Sequence, residues 1–178
     1  MKKALIVTGR LVQDHEFIYP YYRLKEEGFE VDVAVKEGTE VLGFLGTKIP
    51  ANIDFEEMGR IEEDWGYDLL VIPGGAKCME YLRQERYVLD FISEFNRKNK
   101  IIASICHGAQ MLISAQVVKG RRISGYYSIK DDIINAGAEY VDAPAVIDNN
   151  IISCPHYKYL GDWMKATLGV LRERSVSS

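Results

Sequence analysis

The sequence has no apolar run near the ~18 residues that a membrane-spanning helix needs, no CxxC pair among its three cysteines and no excess of basic residues. Each absence removes a class of function. The N-terminal stretch MKKALIVTGR is apolar for too short a distance to be a signal peptide, and it reads as a strand. Cys78, Cys106 and Cys154 are odd in number and far apart, so neither a disulfide framework nor a zinc ribbon is expected. Free thiols point to a cytoplasmic protein. Lys and Arg total 22 against 26 Asp and Glu, a net charge of −4, which leaves no basic face for a nucleic acid. Neither a GxGxxG fingerprint nor a phosphate-binding loop is present, and no cofactor is called for. Internal repeats and low-complexity linkers are also missing. The 178 residues, 47% of them hydrophobic, are enough for one well-filled core. The expectation is a single domain over residues 1–173 with a polar tail, 174–178, that frays.

What is present alternates between strand and helix. Short apolar runs at Ala4–Val7 (ALIV), Leu69–Ile72 (LLVI) and Ile101–Ile105 (IIASI) suit buried parallel strands, and Val31–Val35 (VDVAV) alternates. Phe17, Tyr21 and Leu24 recur at helical spacing after Asp14, with Gly28 as the stop; Pro20 predicts a kink or a late start. One helix is expected after Gly75, with Val88, Phe91, Ile92 and Phe95 on its buried face, another over Ala109–Val118, and a short one around Ile129–Ala136. Val141–Ile147 and Ile151–Ser153 flank the turn Asp148-Asn149-Asn150, and Leu160, Trp163, Met164, Leu168 and Leu171 mark a last helix. Residues 36–67, punctuated by Gly38, Gly43, Gly46 and Pro50, read as irregular, with an acidic solvated stretch at Asp54–Asp64. This alternation means an α/β fold, a mostly parallel sheet with helices on both faces, whose ligands sit beyond the carboxyl ends of the strands. Three loops fall there: Gly9–His15, Gly74–Cys78 and Cys106–Gly108.

The third of these loops carries the strongest chemical signal. In Ala103-Ser104-Ile105-Cys106-His107-Gly108-Ala109 a buried strand turns sharply at one residue into a helix, the layout of a nucleophile elbow with cysteine as the nucleophile. A helix N-terminus beneath the thiol would lower its pKa. A buried core cysteine is the plainer alternative. In Ile72-Pro73-Gly74-Gly75, the backbone N–H groups of Gly74 and Gly75 can face an oxyanion, although a Gly-Gly pair is more often only a turn. Glu16 lies in a first helical turn at the same end of the sheet, where an acid is ordinarily a surface residue matched to the helix dipole.

Together these pieces resemble the ThiJ/PfpI superfamily of intracellular proteases and parkinsonism-associated deglycases. The stretches EFIYPYYRLKEEGFEVDVA, LLVIPGG, IIASICHGAQMLISA, VKGRR and IKDDIINAGAEYVD are similar to its PfpI branch in order and spacing. The resemblance implies a flavodoxin-like fold of the class I glutamine amidotransferase type. It implies Cys106 as nucleophile, His107 as its neighbouring base, Glu16 as a protonated carboxyl bonded to the thiolate, and an oxyanion hole from Gly75 and the His107 backbone. It also implies homodimers, or hexamers in the protease branch. That branch orients its histidine with an acid from a neighbouring subunit, where this chain has Met79, with Glu80 one residue later. Where the deglycase branch brings in a second histidine, this chain has Tyr126, as the protease branch has a tyrosine, which favours that branch; Tyr127 follows in place of the usual proline. The late loop Ser153–Tyr159 also departs from the family pattern, and His156 within it is a candidate for the missing polar partner.

The resulting expectation is a cysteine-nucleophile enzyme that acts on an amide, a peptide or a reactive aldehyde, with no metal, nucleic-acid or membrane partner. The alternatives are a redox-sensing or stress-chaperone protein with an oxidisable cysteine, and a small-molecule binder on the same scaffold.

Overall fold

The computed structural model describes residues 2–36, 39–58 and 66–177. In chain order the elements are β1 (Lys3–Val7), α1 (Asp14–Glu26), β2 (Glu30–Val35), β3 (Glu40–Leu42), β4 (Lys48–Pro50), β5 (Ile53–Asp54), α2 (Phe55–Met58), β6 (Leu69–Ile72), α3 (Ala76–Leu82), α4 (Arg86–Arg97), β7 (Ile101–Ile105), α5 (Ala109–Ser114), β8 (Arg122–Ile123), α6 (Lys130–Asn135), β9 (Glu139–Tyr140), β10 (Val146–Asp148), β11 (Ile151–Cys154) and α7 (Leu160–Ser177). Seven strands form the central sheet in the order β10-β11-β7-β6-β1-β2-β5, parallel except for β10. The order reverses between β1 and β6, the pattern of flavodoxin-like doubly wound folds. α1 and α7 pack together on one face, and α2, α4 and α5 cover the other. β6, β7 and β11 are buried along their whole length, as continuous apolar runs in a parallel sheet require.

Several boundaries differ from the sequence reading. α1 begins at Asp14 and passes through Pro20; a proline there removes one backbone donor but leaves the amphipathic packing of Phe17 and Leu24 intact. The region read as irregular contains the β3–β4 ribbon and the edge strand β5, each only two or three residues long and so without a readable alternation. Gly38 and residues 59–64 of the acidic stretch lie outside the described residues. The segment after Gly75 is two helices, α3 and α4, broken at Arg83–Glu85. α5 ends at Ser114, four residues short of the expected end, and only Val146–Asp148 of the expected 141–147 strand joins the main sheet. α7 includes the expected tail as far as Ser177, where Arg174 donates to the Asn99 carbonyl and Ser175 donates back to Leu171. No helix among the described residues is long and apolar enough to cross a membrane.

At the carboxyl edge of the sheet, β6 and the elbow after β7 meet at Gly108. A Cβ there would lie 2.6 Å from the Ile72 carbonyl oxygen and 3.1 Å from that of Pro73. Backbone cannot yield as a side-chain tip does. Gly108→Ala is therefore expected to lower stability by about 1–3 kcal/mol, read as a lower urea midpoint at an unchanged slope; an unchanged midpoint would show that this contact is not tight.

Candidate active site

β7 ends at Ile105, and the chain turns at once into a single 3-10 turn, Cys106–Gly108, which leads into α5. Cys106 has φ 58°, in the left-handed region that few residues other than glycine adopt. Strain of this kind, of order 1–3 kcal/mol, persists only where the surroundings over-determine it. Here they do: Tyr126 N–H donates to the Cys106 carbonyl at 3.2 Å, and Gly125 lets that loop approach, since a Cβ on it would sit 2.9 Å from Ile133 Cδ1 and 3.1 Å from Ala109 Cβ. The elbow thus raises the thiol above the sheet edge. Cys106 keeps 7% of its surface exposed, whereas Cys78 and Cys154 keep none.

Glu16 is completely buried, although it stands in the first turn of α1. Gly74 N–H donates to its Oε1 at 2.8 Å. Gly74 has to be glycine, because a Cβ would fall 2.6 Å from that oxygen and 2.7 Å from the Ile105 carbonyl. The second oxygen, Oε2, is buried without a partner in hydrogen-bond geometry, and the Cys106 thiol is the side chain with which the carboxyl interacts. Burial pushes the Glu16 carboxyl up to about 8, against the smaller opposing effects of the Gly74 and Cys106 contacts. Glu16 therefore carries a proton at neutral pH.

The thiol itself stands above its ordinary value, through burial first and the negative charge of an ionised Glu16 second, while the His107 backbone N–H pulls the other way. The lowered pKa expected from the helix N-terminus is thus outweighed in the resting arrangement, because α5 is short and the thiol is nearly enclosed. A protonated Glu16 removes the second cause and replaces it with an O–H donor. The two groups then form one coupled unit whose proton is shared between oxygen and sulfur.

His107 Nδ1 lies 3.5 Å from Cys106 Sγ, and burial lowers the imidazole pKa, so the ring is neutral at pH 7. Tyr126 tilts against it with ring centroids 5.0 Å apart. His156 is the next ring outward, 6.0 Å from Tyr126. Its Nδ1 accepts from Lys158 N–H at 3.0 Å and caps the turn Tyr157–Tyr159. Tyr126 rather than His156 is therefore the ring beside His107. The row continues through Tyr157 (4.1 Å) to His15 (4.5 Å, stacked), so all three histidines of the chain lie along one line of rings.

Gly75, at φ 110°, starts α3, and a Cβ there would meet Gln13 N at 2.8 Å. Gly74, grouped with it by sequence as an oxyanion donor, instead gives its N–H to Glu16. Met79 is buried inside the chain, and Glu80 is exposed and paired with Lys77 at 2.8 Å, so neither orients His107 within the protomer. Met79, at the position from which the protease branch reaches its neighbouring subunit, and Cys78 beside it are core residues, whereas Tyr81 is exposed. Burial pushes the Cys78 thiol up to about 11 and that of Cys154 up to about 12. No cluster of three His, Cys, Asp or Glu side chains among the described residues could hold a metal.

Sequence reasoning missed Asp14. It is nearly buried and accepts from Leu45 N–H (2.6 Å) and Thr47 N–H (3.0 Å), fixing the 43–47 loop against the start of α1. An acid at a first helical position gives no sign of a partner about thirty residues away.

Comparison with known proteins agrees with this fold. The profile of the DJ-1/PfpI family matches residues 2–169. The chain belongs to the DJ-1/PfpI family. It is 38% identical over 170 residues to Deglycase PfpI of Pyrococcus furiosus, covering 96% of this chain and 99% of that protein. It is 34% identical over 148 residues to General stress protein 18 of Bacillus subtilis, covering 82% and 83%. Among solved structures, a two-domain protein of Anabaena variabilis with DJ-1/ThiJ/PfpI-like and ferritin-like domains superposes with a TM-score of 0.89 at 32% identity, over 96% of this chain and 48% of that one. A ThiJ/PfpI domain protein of Brachyspira murdochii gives a TM-score of 0.88 at 19% identity over 96% of both. This is the superfamily that the sequence stretches resemble, and its members named as deglycases support a cysteine-dependent enzymatic role.

In this DJ-1/PfpI-family chain, iodoacetamide is expected to alkylate Cys106 in the folded protein and to reach Cys78 and Cys154 only on unfolding. Glu16→Leu removes a donor to the thiolate and is expected to raise the Cys106 titration midpoint by about 1–2 pH units, the equivalent of a charge-assisted hydrogen bond. Glu16→Gln keeps an N–H donor and is expected to raise it less. Equal midpoints in the two variants and the wild type would reduce Glu16 to a packing residue.

Proposed function

We propose that the protein is an enzyme whose Cys106 thiolate adds to the carbonyl carbon of a reactive aldehyde such as a 2-oxoaldehyde or its adduct on an amino group, the deglycase-type reading of the site. One observation carries this reading: a strained cysteine elbow stands beside the fully buried carboxyl of Glu16, with His107 Nδ1 3.5 Å from its sulfur. In the addition step the Sγ–C bond forms and the carbonyl π pair moves to oxygen. The N–H groups of Gly75 and His107 are the donors assigned to that oxygen, since Gly74 N–H is already occupied. Glu16 holds its proton toward sulfur and so stabilises the thiolate before attack and after departure. His107, neutral at pH 7, is the group that accepts or returns a proton at the adduct.

The aldehyde reading is favoured over peptide hydrolysis by what surrounds His107. A triad needs a third group to hold the base in one tautomer, and the position from which the protease branch supplies it across a subunit contact holds the apolar Met79 here. Addition to an aldehyde makes no such demand, because no amine has to be protonated as it leaves in the first step. The relatives named as deglycases, similar along nearly their whole length, point the same way.

Steady-state turnover of methylglyoxal and of its adducts on amino acids is expected for the wild type and is expected to fall to background in Cys106→Ala. Full turnover in Cys106→Ala would refute the assignment. Stoichiometric oxidation of Cys106 with no turnover of aldehydes, peptides or amides would favour the sensor reading instead.

We also propose that the protein works as a homo-oligomer. Ile18 and Tyr22 project from α1 into solvent, and Phe44 and Leu45 are more than half exposed on the loop that Asp14 holds rigid. An apolar set on a fixed scaffold suits a self-complementary contact. Sedimentation at micromolar concentration is expected to give a dimer or larger species that Phe44→Ser with Leu45→Ser weakens; a 20.2 kDa monomer in the wild type would contradict it.

A further inference from the structure

Away from Cys106, a cavity of about 330 Å³ opens over the carboxyl ends of β1 and β2. In the sheet β6 and β1 stand between β7 and β2, so this cavity lies roughly 10–15 Å from the nucleophile at ordinary strand spacing. Its volume is at the small end of the range for ligand sites, about 300–1,000 Å³. Phe55 and Leu82, both fully buried, form its floor, and Leu42 and Tyr81, both substantially exposed, form its rim. The wall carrying Leu42 is fixed: Leu11 N–H donates to the Leu42 carbonyl at 2.9 Å, and Val12 bridges to Gly43.

The charges around this apolar interior are selective. Lys36, on the wall, is closed into an ion pair with Glu85 at 2.5 Å. Among the described lining residues, that leaves one cation and one anion. The Arg10 guanidinium lies over the Tyr81 ring, 4.9 Å from its centroid, with no carboxylate partner among the described residues. Glu40 lines the same cavity and likewise has no side-chain ion pair among the described residues. An anion alone would meet Glu40, and a cation alone would meet Arg10. A molecule carrying both charges on one end and an apolar group on the other satisfies every wall: its carboxylate to the planar guanidinium, its ammonium to Glu40, its side chain onto Phe55, Leu82 and Leu42.

We propose that this cavity binds a free α-amino acid with a large apolar side chain, at a site separate from Cys106. Nothing in the proposed chemistry at Cys106 uses Arg10, Glu40 or Tyr81, so the two sites can be tested independently.

The test is titration of the full-length protein with L-phenylalanine, followed by amide chemical shifts and calorimetry. Saturable binding is expected, with shifts centred on Gly9, Arg10 and Leu82. N-acetyl-L-phenylalanine lacks the ammonium and L-phenylalaninamide lacks the carboxylate; each is expected to bind about tenfold or more weakly, the loss of one charge-assisted contact. Arg10→Gln and Glu40→Gln, surface changes that leave the core intact, are expected to weaken L-phenylalanine by a similar factor, and Cys106→Ala to bind it as the wild type does. No saturation at millimolar concentration would overturn the proposal. So would equal affinity for all three compounds, affinity unaltered by Arg10→Gln and Glu40→Gln, or shifts centred on Cys106 and His107.

Discussion

The hydrogen bond from Gly74 N–H to the buried carboxyl of Glu16 joins three segments that are remote in sequence: the first turn of α1, the loop after β6, and, through the other oxygen's neighbour, the elbow after β7. A carboxyl with no exposed surface in such a place would be costly if ionised. The fold resolves this by keeping the proton on it, and the same burial that keeps the proton there sets it beside the thiol. Gly74 and Gly108, where a Cβ would strike oxygen atoms, follow from the closeness of this approach. The positive φ of Cys106 belongs to the same meeting of segments, in which the thiol lies beside the Glu16 carboxyl.

Around this pair the site is asymmetric. On one side lies backbone: the Gly75 turn and the His107 N–H, fixed by secondary structure. On the other lies a line of rings, His107, Tyr126, His156, Tyr157 and His15, in which each ring contacts the next. The rigid side suits stabilisation of charge on a reacting oxygen. The ring side suits recognition of a planar or apolar substrate, and it includes His156 and Tyr157 of the late loop where the sequence departs from the family pattern.

Much of this was legible in the sequence. The runs LLVI and IIASI could only be buried strands, and a cysteine followed by His-Gly at the end of one of them marks an elbow from local pattern alone. Glu16 was placed by resemblance, because an acid in a first helical turn looks the same whether it faces water or a thiol. The burial of Met79 was not legible for a related reason: α3 is only seven residues long, too short for periodicity to say which face packs inward. The β3–β4 ribbon and β5 were invisible because two or three residues carry no alternation. The role of Asp14 depends on a loop about thirty residues away, and no local rule reaches that far.

The central claim is that Glu16 is protonated at neutral pH and shares that proton with the Cys106 sulfur. Infrared difference spectra of wild type minus Glu16→Gln at pH 7 read the carboxyl directly. The account predicts a protonated carboxylic C=O band in the wild type that is missing from the variant and collapses to carboxylate bands as the pH rises through about 8. Carboxylate bands alone at pH 7 would contradict it, since an ionised Glu16 would repel the thiolate it is held to stabilise.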